Sequence, residues 1–245
     1  SQQWGIPAIH ADAIWDSVAG GDSTQVIGIL DTGVDWLHPD LVNKIWANSD
    51  EIPGNGIDDD GNGKIDDVRG WDFINNDNNP ADDNSHGTHC AGIAAAQANN
   101  GIGISGVSPG ARIMPIKVFQ SSGQGDAATI AQGVAYAASN GTTILSMSFG
   151  SYAESQTLKM ALANAYATAV LVGAGGNDGL CIGPGPCPDL RSGAPLYPGA
   201  YNFVLGVEAT KQIPDVCGMR ACFSNFDQDG PVFSSYGELL NYELK

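Results

Sequence analysis

Short, almost uninterrupted apolar runs alternate with helix-like segments along most of this chain, and this alternation constrains its fold more than any other feature. The predicted strands are residues 26–30, 111–119, 143–147, 169–173 and 203–207, and the predicted helices are residues 86–97, 126–139 and 155–167. A strand that is apolar on both faces is typical of a parallel sheet covered by helices on both sides. We therefore predict an α/β fold with three layers, αβα, around a mostly parallel twisted sheet.

Functional residues in such folds gather just beyond the carboxyl ends of the strands. Asp31 follows the first predicted strand, residues 146–150 end the third, and Asn177 follows the fourth. Since the carboxyl ends of parallel strands meet at one edge of the sheet, we expect these residues to share a site.

The charge balance restricts the partners of the chain. Lys and Arg number 10 against 27 Asp and Glu, so the net charge is −17. Nucleic-acid binding needs clustered cations, so we expect no nucleic-acid partner. We also expect no membrane span, because no apolar run reaches the length that a span needs. The acidity fits either general solubility or carboxylates gathered around cations, and the density of Asp and Asn over residues 50–83 favours cations there.

The five cysteines suggest the redox environment. Cys181 and Cys187 lie close together in a Gly/Pro-rich loop, and Cys217 and Cys222 lie close together in another. Two short-range disulfides with Cys90 left free are therefore one prediction, and buried or metal-bound thiols are the alternative. No C-x-x-C pair occurs, which argues against zinc. Disulfides would place the protein in an oxidising compartment.

Three segments contain residues that could take part in catalysis, although each motif alone is a weak indication. The carboxylate in Asp-Thr-Gly, residues 31–33, could orient a histidine, but the motif also occurs in aspartic proteases and in ordinary turns. His-Gly-Thr-His, residues 86–89, could present an imidazole to a cleft from a helix start, although a polar-loop histidine is more often a surface residue. The amide of Asn177, on the glycine-rich loop 173–179, could donate to a developing oxyanion, or the loop could be any turn.

Together, these segments closely resemble the subtilisin-like serine proteases, the subtilases. Residues 38–41, His-Pro-Asp-Leu, and residues 146–150, Ser-Met-Ser-Phe-Gly, are also similar to that family, and Cys90 near His86 is similar to its proteinase K branch. The order Asp, His and then Ser is the subtilisin order. An aspartic protease is disfavoured because it would need a second Asp-Thr-Gly. The resemblance implies a subtilisin-like α/β fold and a single peptidase domain, residues 1–245, incomplete at its C-terminus.

The resemblance also implies roles for the site residues. Asp31 is expected to fix the tautomer of His86, which acts as general base and then general acid, and Asn177 is expected to bind the oxyanion. The edge residues that would pair with an extended substrate backbone are Ser148, Phe149 and Gly150 on one side and Gly123 and Gly125 on the other. Binding of the substrate through its backbone implies broad specificity towards protein or peptide substrates.

No segment resembles the Gly-Thr-Ser-Met-Ala motif that carries the family's nucleophile. Residues 233–237 resemble a turn that precedes that motif, so we expect the nucleophile helix to lie beyond Lys245. The first prediction is a secreted serine endopeptidase domain of which this chain is an inactive fragment, with its own C-terminal segment or a propeptide as further candidate partners. The alternative is a catalytically dead pseudoprotease that binds peptides.

Two calcium sites are predicted. In the acidic loop, Asp58, Asp60, Asn62 and Asp66 could surround a hard cation with oxygen ligands, although Arg69 stands where an EF-hand loop has Glu. The alternative there is a solvated acidic loop. The resemblance implies a second structural calcium site at Asp40 and Asn100, completed by neighbouring carbonyls and an N-terminal glutamine, for which Gln2 and Gln3 are candidates.

Overall fold

The computed structural model describes residues 3–18, 20–178, 195–215 and 218–220. The strands are β1 Val26–Asp31, β2 Trp71–Asp72, β3 Arg112–Lys117, β4 Ile144–Met147, β5 Val170–Ala174, β6 Leu205–Val207, β7 Thr210–Asp215 and β8 Gly218–Arg220. The helices are α1 Gly5–Ala8, α2 Ala11–Val18, α3 His86–Ala95, α4 Ala127–Ser139 and α5 Gln156–Ala165. Six strands form one sheet in the order β2-β3-β1-β4-β5-β6, and β7 pairs with β8.

Every strand pairing within the six-stranded sheet is parallel, which confirms the predicted fold class. The helix predicted over residues 86–97 ends earlier, at Ala95, because Ala96 turns to an extended conformation with ψ 146°. The elements α1, α2, β2, β7 and β8 were not predicted, since segments of two to eight residues carry too little periodicity to be recognised.

The core lies on both faces of the sheet. Leu30, Met114 and Leu145 belong to an apolar cluster that includes buried residues of α4 and α5. Ile27 and Ile29 belong to a second cluster, which includes buried alanines of α3. All six residues of β1 are consequently buried, as expected for a central strand of a three-layer fold.

Helix α4 begins and packs for identifiable reasons. The Asp126 side chain caps its first turn by accepting hydrogen bonds from the backbone N–H groups of Ala128 and Thr129. The helix then approaches β3 closely at Gly133, where an added Cβ would lie 2.6 Å from Cγ1 of Val118. A residue without a side chain is therefore needed at this contact.

One part of the sheet is covered on a single face within the described ranges. In β4, β5 and β6 the buried positions alternate with partly or fully exposed ones, and Val170 is 49% exposed. Ile144, Val172 and Leu205 line an open apolar groove of about 550 Å³ against α2. The helical layer on the α3 side thus leaves the β4–β6 face open among the described residues.

The structure describes only one of the five cysteines. The cysteines Cys181, Cys187, Cys217 and Cys222 lie outside the described residues, so the two disulfides stay predictions. Cys90 is a free thiol. Within the described ranges, no helix has the length and apolar character needed to cross a membrane.

The close approach of α4 to β3 generates a prediction. Replacing Gly133 with valine should lower the free energy of unfolding by about 1–3 kcal/mol, because the new side chain must displace Val118 in a packed core. Ala135→Val is the matched control, since Ala135 is exposed on the same helix and should lose only the small helix-propensity difference. Urea unfolding of the two variants measures this, and equal losses would contradict the packing argument.

Candidate active site

Asp31 and His86 are in direct contact although they are far apart in the chain. Nδ1 of His86 lies 2.7 Å from Oδ1 and 2.9 Å from Oδ2 of Asp31. Asp31 is the last residue of β1 and is 2% exposed, whereas the His86 side chain, at the start of α3, is half-exposed. An ionised carboxylate can only accept, so Nδ1 donates, and Nε2 is the nitrogen that can take up a proton.

The contact depends on a close approach of two loops. An added Cβ at Gly87 would lie 2.1 Å from the carbonyl oxygen of Gly33, so the first turn of α3 packs directly against the loop that follows β1. The Thr32 N–H donates to Oδ1 of Asp31 at 2.7 Å, so the carboxylate is held by the backbone as well as by His86. The glycines in the two motifs therefore bring the acid and the imidazole together.

A buried lysine contacts the loop that directly follows Asp31. Lys117, at the end of β3, is 1% exposed, and its Nζ donates to the carbonyl oxygens of Thr32 at 2.6 Å and Phe119 at 3.0 Å. It also forms an ion pair of 2.6 Å with Asp83, whose side chain is half-exposed. Lys117 joins the loop after β1 to the loop before α3. Sequence analysis missed this role, and the only signal was a lone lysine within an apolar strand.

The free thiol of Cys90 stands one turn along α3 from His86, and its Sγ groups with atoms of Asp31 and His86. Burial raises the pKa of the Cys90 thiol most strongly, a hydrogen bond with Ser148 opposes this rise, and the nearby Asp31 carboxylate raises the pKa further. A raised pKa keeps Cys90 protonated at neutral pH, so it adds no negative charge beside Asp31.

Asp31 and His86 face a cleft of about 570 Å³. The five predicted substrate-binding residues all line it, namely Ser148, Phe149, Gly150, Gly123 and Gly125. The rings of Phe149 and Phe119 pack with centroids 4.9 Å apart. Walls that sequence analysis did not anticipate come from Asn84, Ile130, Leu158 and Tyr197. Two segments that are distant in the chain, one with Gly123 and Gly125 and the other with residues 148–150, thus line the same cleft.

Asn177 lies next to this cleft and does not line it. It is exposed in the loop after β5 and lines a neighbouring groove of about 550 Å³. Ser148 lines both spaces, so the Asn177 loop adjoins the cleft across that residue. The Tyr152 hydroxyl donates to the Asp178 carboxylate, which ties the Asn177 loop to the segment that follows Gly150.

The acidic loop gathers part of the predicted cation-binding set. Carboxylate oxygens of Asp58, Asp60 and Glu51 lie within 4.8 Å of one another, and Glu51 was not predicted. The Asn62 N–H donates to Asp58 at 3.0 Å and to Asp60 at 2.9 Å. Among the described residues, none of these carboxylates forms an ion pair with Lys or Arg. Converging oxygen ligands with uncompensated charge fit a hard cation such as calcium.

Asp66 lies outside that group. Its carboxylate accepts from the backbone N–H groups of Gly54 at 2.7 Å, Asn55 at 3.1 Å and Gly56 at 3.0 Å. These bonds direct Asp66 to the exposed turn 54–56, away from the converging oxygens. The structure thus assembles Asp58, Asp60 and Asn62 and gives Asp66 a separate role in stabilising the turn.

The second predicted site is also brought together. Asp40 is 3% exposed and accepts from Nδ2 of Asn100 at 2.7 Å and from the N–H of Ile104 at 2.9 Å. The Gln3 side chain accepts from the N–H of Ser105 at 2.9 Å and donates to its carbonyl at 2.8 Å, beside the same loop. Gln2 lies outside the described residues.

Known proteins with similar sequences identify the family of this chain. The model of the subtilase family matches residues 22–245. Thermitase from Thermoactinomyces vulgaris is 35% identical over 96% of this chain and 73% of its own length. A thermophilic serine proteinase from Bacillus sp. strain AK1 is 34% identical over 91% of this chain but only 46% of its own length. Subtilisin Savinase from Lederbergia lenta is 34% identical over 92% of this chain and 68% of its own length.

The chain therefore belongs to the subtilase family of serine proteases.

The buried lysine generates a prediction about stability. Replacing Lys117 with methionine keeps the apolar stem but leaves two buried carbonyl oxygens without their donor, so the free energy of unfolding should fall by about 1–3 kcal/mol. Lys159→Met is the matched control, because Lys159 forms an exposed ion pair of 2.7 Å with Glu154 and should contribute less than about 1 kcal/mol. Chemical denaturation measures both, and a larger loss for Lys159→Met would overturn the assignment.

Proposed function

We propose that this chain is the larger part of a secreted serine endopeptidase domain that hydrolyses peptide bonds of proteins. Asp31 orients His86, His86 acts as general base and then general acid, Asn177 binds the oxyanion, and the nucleophilic serine comes from a segment beyond Lys245. The observation that carries this proposal is the Asp31–His86 contact of 2.7 Å at the side of a cleft lined by both predicted substrate-binding segments.

In this mechanism, Asp31 holds the His86 ring with Nδ1 protonated and stabilises the imidazolium that forms. Nε2 removes the proton from the serine hydroxyl and later delivers it to the leaving amine. Burial of Asp31 beside the half-exposed ring suits these tasks, because the carboxylate stays shielded while the imidazole remains open to the cleft.

Substrate binding follows from the two backbone segments at the cleft. Ser148–Gly150 and residues 123–125 can each pair with an extended peptide, which would add a strand between them. Phe149 and the loop 173–177 would line the primary pocket, where small or medium apolar side chains fit best. Such recognition is broad because it relies on the substrate backbone.

The open face of the sheet supports a nucleophile segment that completes the domain. Among the described residues, the apolar side chains on one face of β4, β5 and β6 are partly or fully exposed along two adjoining grooves, and the second groove reaches Ser148 and Asn177. A helix packed there would cover the face and begin beside the proposed site. Parallel sheets are stable when both faces are covered, so a folded sample of the domain requires this segment or an equivalent cover.

The activity test uses a fluorophosphonate probe and an intact mass spectrum of the protein at its natural length. We expect one probe adduct on a serine outside residues 1–245 and hydrolysis of casein by the same sample. His86→Ala should abolish both, because the serine loses its base, whereas His89→Ala should retain them. An unmodified protein that still binds casein-derived peptides would reject the endopeptidase and support the alternative, a catalytically dead peptide-binding pseudoprotease.

We also propose that calcium stabilises the fold at two places, through Glu51, Asp58, Asp60 and Asn62 in the acidic loop and through Asp40 and Asn100. The bound cation would neutralise converging carboxylates that otherwise repel one another. The two predicted disulfides, together with an extracellular location, belong to the same proposal of a secreted enzyme.

Chelation tests the calcium proposal. Excess EDTA should lower the melting temperature, since ligands that bind only the folded state stabilise it. Asp58→Asn should reduce this EDTA-sensitive shift, whereas Asp66→Asn, the matched control, should preserve it because Asp66 lies outside the converging group. An unchanged melting temperature in EDTA would reject both sites, and equal effects of the two substitutions would reject the acidic-loop assignment.

A further inference from the structure

The first turn of α3 is the element that carries His86, and it has an unusual cap. Ser85 stands at the N-cap position, but its side chain makes no capping hydrogen bond and its backbone adopts φ 88°. That left-handed conformation is costly for a residue other than glycine, so it persists only where neighbouring groups hold it. The N–H groups at the start of helix α3 must therefore be capped by a side chain other than that of Ser85.

Asp82 supplies this cap. Its Oδ1 accepts from the N–H groups of Ser85 and Asn84, each at 3.0 Å, which holds the left-handed residue in place. Its Oδ2 accepts from Thr88, through the N–H at 2.9 Å and the hydroxyl at 2.6 Å. The same carboxylate thus fixes the strained turn and the first turn of the helix on either side of His86.

A fifth hydrogen bond connects Asp82 to the loop after β1. Oγ1 of Thr32 donates to Oδ1 of Asp82 at 2.8 Å and accepts from the N–H of Gly87 at 3.1 Å. Thr32 directly follows Asp31, so Asp82 joins the residue after the acid to the helix of the base. Lys117 reinforces the junction by linking Thr32 to Asp83, the next residue after Asp82.

Asp82 remains ionised in this position. Burial acts to raise the pKa of Asp82, but the hydrogen bonds from Thr88, Asn84 and Thr32 outweigh it and hold that pKa below its usual value. An ionised carboxylate at a helix N-terminus is also favoured by the partial positive charge there. All five hydrogen bonds therefore have a full acceptor at neutral pH.

We infer that Asp82 is a positioning residue for the hydrolytic reaction, setting the place of His86 against Asp31 through the strained start of α3. The expected effect of Asp82 on kcat rests on the proposed function. Its effect on the position of His86 rests on the geometry alone. Asp82 acts through the helix start and through Thr32, and none of its hydrogen bonds goes to the ring of His86.

The test replaces Asp82 with asparagine in the protein at its natural length. The amide nitrogen then faces N–H and O–H donors, so the cap fails on one side whichever way the amide turns. We expect kcat to fall by about 10- to 100-fold with KM nearly unchanged, because a small displacement of the base misaligns proton transfer while the cleft stays intact. Asp22→Asn is the matched control.

Asp22 repeats the local chemistry of Asp82 at the opposite end of β1. Its carboxylate accepts from the N–H of Thr24 at 2.9 Å and from the hydroxyl of Thr24 at 2.7 Å. It lies outside the proposed machinery, so Asp22→Asn should leave kcat and KM unchanged. If Asp22→Asn lowered kcat as much as Asp82→Asn does, the loss would not be specific to the start of α3. That result would overturn the inference.

A spectroscopic readout separates this inference from the proposed function. The proton shared by His86 Nδ1 and Asp31 should give a low-field ¹H NMR line in the wild type, and Asp82→Asn should shift or broaden it even if the protein hydrolyses nothing. An unchanged line with unchanged kcat would overturn the positioning role. An inactive wild type whose line still responds to Asp82→Asn would reject the proposed function and retain the inference.

Milder variants keep the test valid if Asp82→Asn does not fold. Thr88→Ala removes one of the five donors and should lower kcat and shift the line to a smaller extent. Thr88→Ser restores the hydroxyl and should rescue both, which a general loss of packing at this position would not allow. Failure of Thr88→Ser to rescue either readout would count against the inference.

Discussion

The contact between Asp31 and His86 is the constraint on which the rest of the site depends. It joins the carboxyl end of β1 to the first residue of α3 across 55 positions of sequence. Local structure around either residue therefore cannot determine this contact. The backbone must come close enough for the side chains to meet, and Gly87 permits this by leaving no Cβ against the Gly33 carbonyl. Buried polar groups then hold the junction, because in a low-dielectric interior an unpaired donor or acceptor is costly.

Buried hydrogen bonds also join the acidic loop to helix α4. Asp67 is fully buried and accepts from Tyr136 of α4 at 2.6 Å and from Asn48 and Asn62 at 3.0 and 3.1 Å. Burial raises the pKa of the Tyr136 hydroxyl well above its usual range, so it stays protonated as a donor. Since α4 contributes Ile130 to the cleft wall, the acidic loop and the cleft both contact this helix. A cation bound beside Asp60 would therefore stabilise the cleft indirectly.

Sequence patterns predicted the sheet well because its strands are apolar on both faces, and the order of elements follows from parallel crossovers. They also predicted that Asp31 and residues 146–150 would meet at one edge. They could not predict Lys117 or Asp82, whose importance comes from partners 85 and 50 positions away in the chain. Glu51 and Asp66 show the same limit, because spacing within a loop identifies oxygen ligands but not the direction in which each carboxylate points.

The open face of β4–β6 explains how these parts would act together under the proposed function. Both grooves on that face are lined by the outward residues of strands whose carboxyl ends meet at Ser148 and Asn177. A helix that buried this face with its N-terminus at that edge would add its partial positive charge where the oxyanion forms. Folding of the last layer and assembly of the reactive groups would then be one event, so a domain without that helix would lack a covered core and a nucleophile for the same physical reason.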